Sequence, residues 1–247
     1  MGRGFFSQHG TALGIRNAQQ LVSFEAAHGF WVEPGWQLFF LQTRHIFTVT
    51  LTSLDMVHLM NVVYVLGHVF VTLSVALWVY FFRRKYFALL RNSIMLCNAF
   101  ALVVYETFPV APPRLTTGLS FNHHAFAFQD TVFGVLTAGG KLVGTGLGYN
   151  EFSAMPSVHM AWAMIAGGAL VVLARPLAVR ALGVAYPLCM LVAVVVTGNH
   201  FFLDVAGAIG VVVLAFGVSY AVSYYAAHWM GTQSWSPGLR QALFGET

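Results

Sequence analysis

The sequence predicts an all-α integral membrane protein: a six-transmembrane-helix bundle with an amphipathic N-terminal helix. Three observations carry that expectation. Apolar residues make up 58% of the 247-residue chain against 8% charged, with a mean hydropathy of +0.72, too little polar material to cover a soluble globule. The apolar residues gather in runs, several about 20 residues long, the length that crosses a hydrocarbon core of about 30 Å. Lys and Arg collect mainly in the connections between those runs, as topology signals do. The net charge of +4 comes from few charges that form no nucleic-acid footprint. Cys97 and Cys189 sit in separate apolar runs, which suits core packing and not a disulfide framework or a thiolate metal site.

Residues 1–35 mix Leu13, Ile15, Leu21, Val22 and Phe24 with Arg16, Asn17, Gln19, Gln20 and Glu25, the pattern of a helix lying on a membrane surface. A membrane domain is expected over 36–230 and a tail over 231–247. The first span, Trp36 to about Leu54, is the weakest, because Gln42, Arg44 and His45 interrupt it and a central Arg costs a few kcal/mol on insertion scales. His58 to Phe82 and Ala88 to about Val110 are long enough to cross. Residues 115–150, rich in Gly, Thr, Asn and His, read as an extramembrane or re-entrant loop. Three further spans follow at roughly 154–174, 177–197 and 200–227, the last two joined by Thr197-Gly198-Asn199.

If these six spans alternate, Arg83, Arg84, Lys85, Arg91, Arg175, Arg180 and Arg240 fall on one side with Arg3 and Arg16, and only Arg114 and Lys141 on the other. The positive-inside rule makes the first side cytoplasmic. Both termini are then cytoplasmic and the 115–150 loop lies outside, with the plasma membrane as the expected location.

The same alternation brings separated polar residues to one depth. Arg114 ends the third span, Ser157 and His159 open the fourth, and His200 with Asp204 opens the sixth. Asn61, Tyr64 and His68 open the second at that level. Ionisable groups in a membrane segment are expensive and mark function by default. His200 and Asp204 are four residues apart, so on a helix the carboxylate accepts from one ring nitrogen and leaves the other open. Two helix N-termini suit an anion, and Arg114 supplies a guanidinium fork matching phosphate oxygens. A phosphate ester is the substrate these residues fit: His200 as nucleophile, His159 as proton donor to the leaving oxygen. Tyr64 and His68 share a face as a substrate contact or a core pair, Lys141 folding back from the loop would add a phosphate cation, and Asn150 and Glu151 would meet acceptor hydroxyls or order the loop. No metal or other cofactor is expected, since phosphohistidine chemistry needs none; His123-His124 are adjacent and point apart on any regular structure. A transporter or binding protein for a lipid head group is the rival class, as half-helix N-termini also serve carriers.

Pro156-Ser157-Val158-His159 followed by His200-Phe201-Phe202-Leu203-Asp204 resembles the second and third signature motifs of the type 2 phosphatidic acid phosphatase superfamily. The resemblance covers about residues 60 to 225 and implies a six-helix membrane enzyme that hydrolyses or transfers lipid-linked phosphate groups. It also implies roles: His200 as phosphorylated nucleophile, Asp204 as its partner, His159 as leaving-group acid, Ser157 as phosphate contact. The chain departs from the phosphatase branch at two cations, with Thr107 where that branch has Lys and Val194 where it has Arg. Ala111-Pro112-Pro113-Arg114 and Thr197-Gly198-Asn199-His200 are more similar to the inositol phosphorylceramide synthase branch, which moves a head-group phosphate between lipids. The expected partners are a lipid phosphate and the bilayer, with no nucleic acid.

Overall fold

The computed structural model describes residues 8–42, 44–46, 49–51, 53–116, 120–121, 124–125, 127–132 and 152–231. Helix α1 (Gln8–Ala27) buries Asn17, Ala18, Leu21, Val22 and Glu25, a stripe at helical spacing. That stripe faces protein: Ala18, Leu21 and Val22 pack with Val110, Ala111, Ala154 and Phe201. Asn17 Nδ2 donates to the Pro109 carbonyl at 2.8 Å, and the Ala111 amide donates to the Gly14 carbonyl at 3.0 Å. Gly29, at φ 76°, turns the chain out of α1 as a left-handed residue after a helix does. Helix α2 (Glu33–Phe40) starts with Pro34 in its first turn and buries Glu33 and Gln37, four residues apart on one face.

The span expected over 36–54 does not form as one helix. Helix α2 stops at Phe40, and strands β1 (Arg44–Ile46) and β2 (Val49–Leu51) pair as an antiparallel hairpin before the next helix opens at Ser53. A helix through Gln42, Arg44 and His45 would carry their polar groups into lipid, whereas β1 and β2 satisfy their backbone groups on each other.

Helix α3 (Ser53–Val62) runs through a π-helical turn (Val63–Gly67) into α4 (His68–Phe82). Helices α5 (Phe87–Thr107), α6 (Val158–Leu173), α7 (Leu177–Val196) and α8 (Phe202–Gly231) complete the bundle. A second short pair, β3 (Ser120–Phe121) with β4 (His124–Ala125), follows α5. Among the described residues, four helical stretches are long and apolar enough to cross a membrane: Met56–Phe82, Arg84–Thr107, Leu177–Val196 and Phe202–Tyr225. Helix α6, with 16 residues, rises about 24 Å and sits at the centre against α4, α5, α7 and α8. Small residues let it: Ala161, Ala163, Ala166 and Gly167 are buried, and Gly167 meets Gly183 of α7 at near-backbone contact, as packed membrane helices do. Phe70, Phe81, Phe82, Leu177 and Val213 point outward, where lipid would cover them.

One end of the bundle holds Arg83, Arg84, Lys85 and Arg175, with Arg83 Nε donating to the last carbonyl of α6, Leu173, at 3.1 Å. The opposite end gathers Pro109 to Thr116, Ala154 to Ser157 and Thr197 to Phe201, with α1 packed over them. Helix α1, and Arg16 on it, therefore lies at the end away from Arg83. The alternation of six spans placed them together; with no single helix over 36–54, the N-terminal helix packs at the other end.

Candidate functional site

The site is built where α7 gives way to α8. Gly198, at φ 70°, makes the turn, and the amides of Asn199 and His200 both return to the Val194 carbonyl at 3.2 and 3.1 Å. Such a φ is open to Gly at no steric cost. The Gly198 carbonyl accepts from the Arg114 amide at 2.9 Å, so the turn also fixes the short 3-10 segment Pro113–Leu115 that carries Arg114. The Arg114 side chain is buried, its Nε donating to Asn199 Oδ1 at 2.9 Å and its Nη1 lying 3.7 Å from Asp130 Oδ2. Asn199 Nδ2 donates in turn to Thr197 Oγ1 at 2.9 Å, which orients the amide toward the guanidinium.

His200 stands ahead of α8, not on it, because the helix opens at Phe202. Its Nδ1 lies 2.8 Å from the Ala154 carbonyl and 3.4 Å from Asp204 Oδ2. The backbone carbonyl is thus the nearer acceptor and the carboxylate the second. Asp204 Oδ2 also accepts the Phe201 amide at 2.8 Å, and the Asp204 carbonyl accepts the Ser157 amide at 3.1 Å, so the carboxylate caps its own helix and its backbone ties α6 to α8. With Nδ1 engaged in this way, Nε2 is the nitrogen left to face a substrate.

His159 occupies the first turn of α6. Its ring stacks on Tyr64 with centroids 4.1 Å apart and planes at 19°, lies 4.2 Å from the His68 ring, and is 6.0 Å from the His200 ring. Tyr64 lies within the π-helical turn and His68 directly follows it; His68 Nδ1 contacts the Tyr64 carbonyl at 2.9 Å, and Tyr186 OH donates to the Gly67 carbonyl at 3.3 Å. Such turns are rare and favour functional positions. Ser157 caps α6, its hydroxyl accepting from the Met160 amide at 3.3 Å. The amides of Val158 and His159, ahead of the helical ladder, have no acceptor among the described residues.

The structure therefore gathers Arg114, Ser157, His159, His200, Asp204, Tyr64 and His68 at one end of the bundle. Asn61 serves the wall: Nδ2 donates to the Thr131 carbonyl at 2.7 Å and Oδ1 accepts from Thr131 Oγ1 at 3.0 Å. Lys141, Asn150 and Glu151 lie outside the described residues. Among the described residues no group of three or more His, Cys, Asp and Glu side chains is arranged to hold a metal ion.

The sequence reading missed Glu25 and Glu33. Both are fully buried, and each caps α8: Glu25 Oε1 accepts the Leu203 amide and Glu33 Oε1 the Phe202 amide, each at 2.8 Å. Burial pushes Glu25 up to about 10, with the neighbouring Glu33 adding to it, and desolvation raises Glu33 as well. Three carboxyl groups thus take the amides of Phe201, Phe202 and Leu203, so the start of α8 is not the open anion site expected of it. Asn199, Asp130 and Gln37 were missed too; Gln37 Nε2 donates to the Gln129 and Val196 carbonyls, each at 3.0 Å, clamping the loop against α7. The one available signal was i,i+4 spacing of Glu33 and Gln37 in a chain with only 8 acidic residues.

Apolar helices of membrane length, with a buried polar cluster of histidines, an arginine and carboxylates at one end, define a membrane-embedded protein of the kind that handles an anionic substrate. The chain belongs to the PAP2 superfamily, whose family model matches residues 19–218. No curated protein and no solved structure matches it. Membership points to an enzyme with phosphatase or phosphotransferase activity on phosphate esters, and the matched range takes in every site residue named above.

Proposed function

We propose that the protein cleaves a phosphate ester of a lipid through a phosphohistidine, at the extracytoplasmic face of the membrane and without a metal. The observation that carries this reading is the 6.0 Å separation of the His159 and His200 rings, with Nδ1 of His200 engaged by Ala154 and Asp204. Nε2 of His200 attacks phosphorus as the bond to the lipid oxygen breaks, and His159 gives that oxygen a proton. An acceptor then attacks the phosphoryl group, losing its proton to His159, and His200 is released. Arg114 and the first turn of α6, with Ser157 and the amides of Val158 and His159, hold the phosphoryl oxygens. Tyr64 and His68 fix the plane of the His159 ring. Lys141, Asn150 and Glu151 are proposed at the loop side, toward the acceptor. The Arg- and Lys-bearing end of the bundle is proposed as cytoplasmic, in the plasma membrane.

Water as acceptor makes a phosphatase, an alcohol a transferase of the inositol phosphorylceramide synthase kind, which the Ala111–Arg114 and Thr197–His200 motifs favour. Brief incubation of purified protein with phosphorus-labelled lipid phosphate, with and without inositol or diacylglycerol, tests this. Acid-labile label on the protein is expected, absent in His200→Ala and slow both to appear and to clear in His159→Ala. Label retained in His200→Ala, or lipid movement across vesicles that survives both substitutions, rejects the mechanism; the second result favours a carrier.

A further inference from the structure

Glu25 and Glu33 come from helices outside the long apolar bundle, yet they end at the first turn of α8, beside Asp204. Both side chains are fully buried, and each uses one oxygen to accept an amide from the first turn of α8. Their other oxygens, Glu25 Oε2 and Glu33 Oε2, are buried with no donor among the described residues, while the two side chains contact each other. Ionised carboxyl groups are acceptors only. Two of them can hydrogen-bond in a dry place only if one proton lies between them. The ionisable groups that face one another here are Glu25 from α1, Glu33 from α2 and Asp204 from α8. Three full charges in that volume would repel strongly, whereas two helix amides and the helix dipole favour keeping one. The rise of both Glu25 and Glu33, caused first by desolvation, agrees with a resident proton.

The geometry points to Glu25 and Glu33 as positioning residues: an acid and a carboxylate sharing one proton, which clamp Phe202 and Leu203 and keep one negative charge behind the His200–Asp204 pair. Its link to His200 as nucleophile rests on the function proposed above. The dyad makes α1 and α2 part of the reaction centre. Helix α1 cannot leave without taking a capping carboxylate from the turn that follows His200, and the charge it shares lies behind Asp204, the second partner of His200.

Infrared difference spectra and pH–rate profiles of Glu25→Gln, Glu33→Gln and the double variant test it. Gln preserves the amide contact and offers N–H donors where the shared proton was. In the wild-type-minus-variant spectrum at neutral pH, each single substitution removes the carbonyl stretch of an un-ionised carboxylic acid, since the carboxylate left behind is ionised. A band that survives either substitution, or is absent from the wild type, overturns the shared proton. In kcat/KM, the acid limb stays in place in each single variant, because one charge remains. It moves to lower pH by on the order of one unit in the double variant, the effect of one buried charge at short range. A limb that does not move in the double variant leaves the pair as a plain helix cap and overturns the positioning role. The infrared arm needs no turnover, so it decides the dyad even if phosphate-ester activity is not found or the double variant does not fold.

Discussion

Gly167→Ala and its neighbour Gly168→Ala form a matched pair whose difference reads out the α6–α7 crossing. A Cβ on Gly167 would collide with the Gly183 carbonyl oxygen and lie 2.9 Å from Pro187 Cδ, whereas a Cβ on Gly168 meets nothing within 4 Å. Both substitutions gain the same helix propensity, up to about 1 kcal/mol, so it cancels in the comparison. What remains is overpacking at Gly167, typically about 1–3 kcal/mol, and the neighbour cannot relieve it by a rotamer change because it is backbone. For a chain of this size that corresponds to roughly 2–12 °C in the thermal midpoint, read in detergent at one fixed scan rate. Function should follow packing. Helix α6 carries His159 at its first turn and α7 delivers His200 after its last, so spreading the crossing separates the two rings. Gly167→Ala is expected to lose both stability and turnover, Gly168→Ala neither. Equal midpoints for the two variants would falsify the close crossing, and a destabilised Gly167→Ala with full turnover would detach the crossing from the site.

Asn199→Ala removes the acceptor of Arg114 Nε and should raise KM several-fold, with Asn199→Asp retaining the contact; an unchanged KM in the alanine variant argues against Arg114 as a substrate ligand. Glu25 holds its proton up to about 10 in the folded protein against 4.5 as its ordinary value. The folded state therefore binds more protons between these limits, and stability falls as pH rises through that window by up to about 1.4 kcal/mol per pH unit. Glu25→Gln should flatten the slope of unfolding midpoint against pH, and an equally steep slope in the variant counts against the resident proton. Turnover in excess EDTA is expected to match untreated enzyme, and its loss with recovery on adding a divalent cation would reject the metal-free mechanism.

What could be read from the chain divides along physical lines. Runs such as His58 to Phe82 announce themselves because the bilayer imposes a length, and counting them was enough to bring Arg114, Ser157, His159 and His200 to one end. The stretch 36–54 is apolar enough to suggest a span, yet Gln42, Arg44 and His45 mark it as the weakest, and the chain there forms a short helix and a strand pair in place of one long helix. The π-helical turn is met at its Gly67 carbonyl by Tyr186 from another helix, a contact that local spacing does not announce. The nearest partner of His200 is the carbonyl of Ala154, and a backbone acceptor leaves no mark on residue identity. Glu25 and Glu33 meet α8 across about 170 positions, a pairing visible only once α1 is known to lie at the site end.

The two helix starts at the site are chemically opposite, and that difference limits where an anion can go. The first turn of α8 meets its own Asp204 and the Glu pair, so its positive end is neutralised from within and a phosphoryl group brought there would face carboxylates. The first turn of α6 gives one amide to Ser157, and those of Val158 and His159 have no acceptor among the described residues. An anionic group with one negative helix start behind it and one uncompensated start before it is drawn to α6. That places it beside His159 and away from the carboxylates that cap α8. On the proposed mechanism, the carboxylates at the start of α8 then stand behind the His200–Asp204 pair and leave the phosphoryl group to the start of α6.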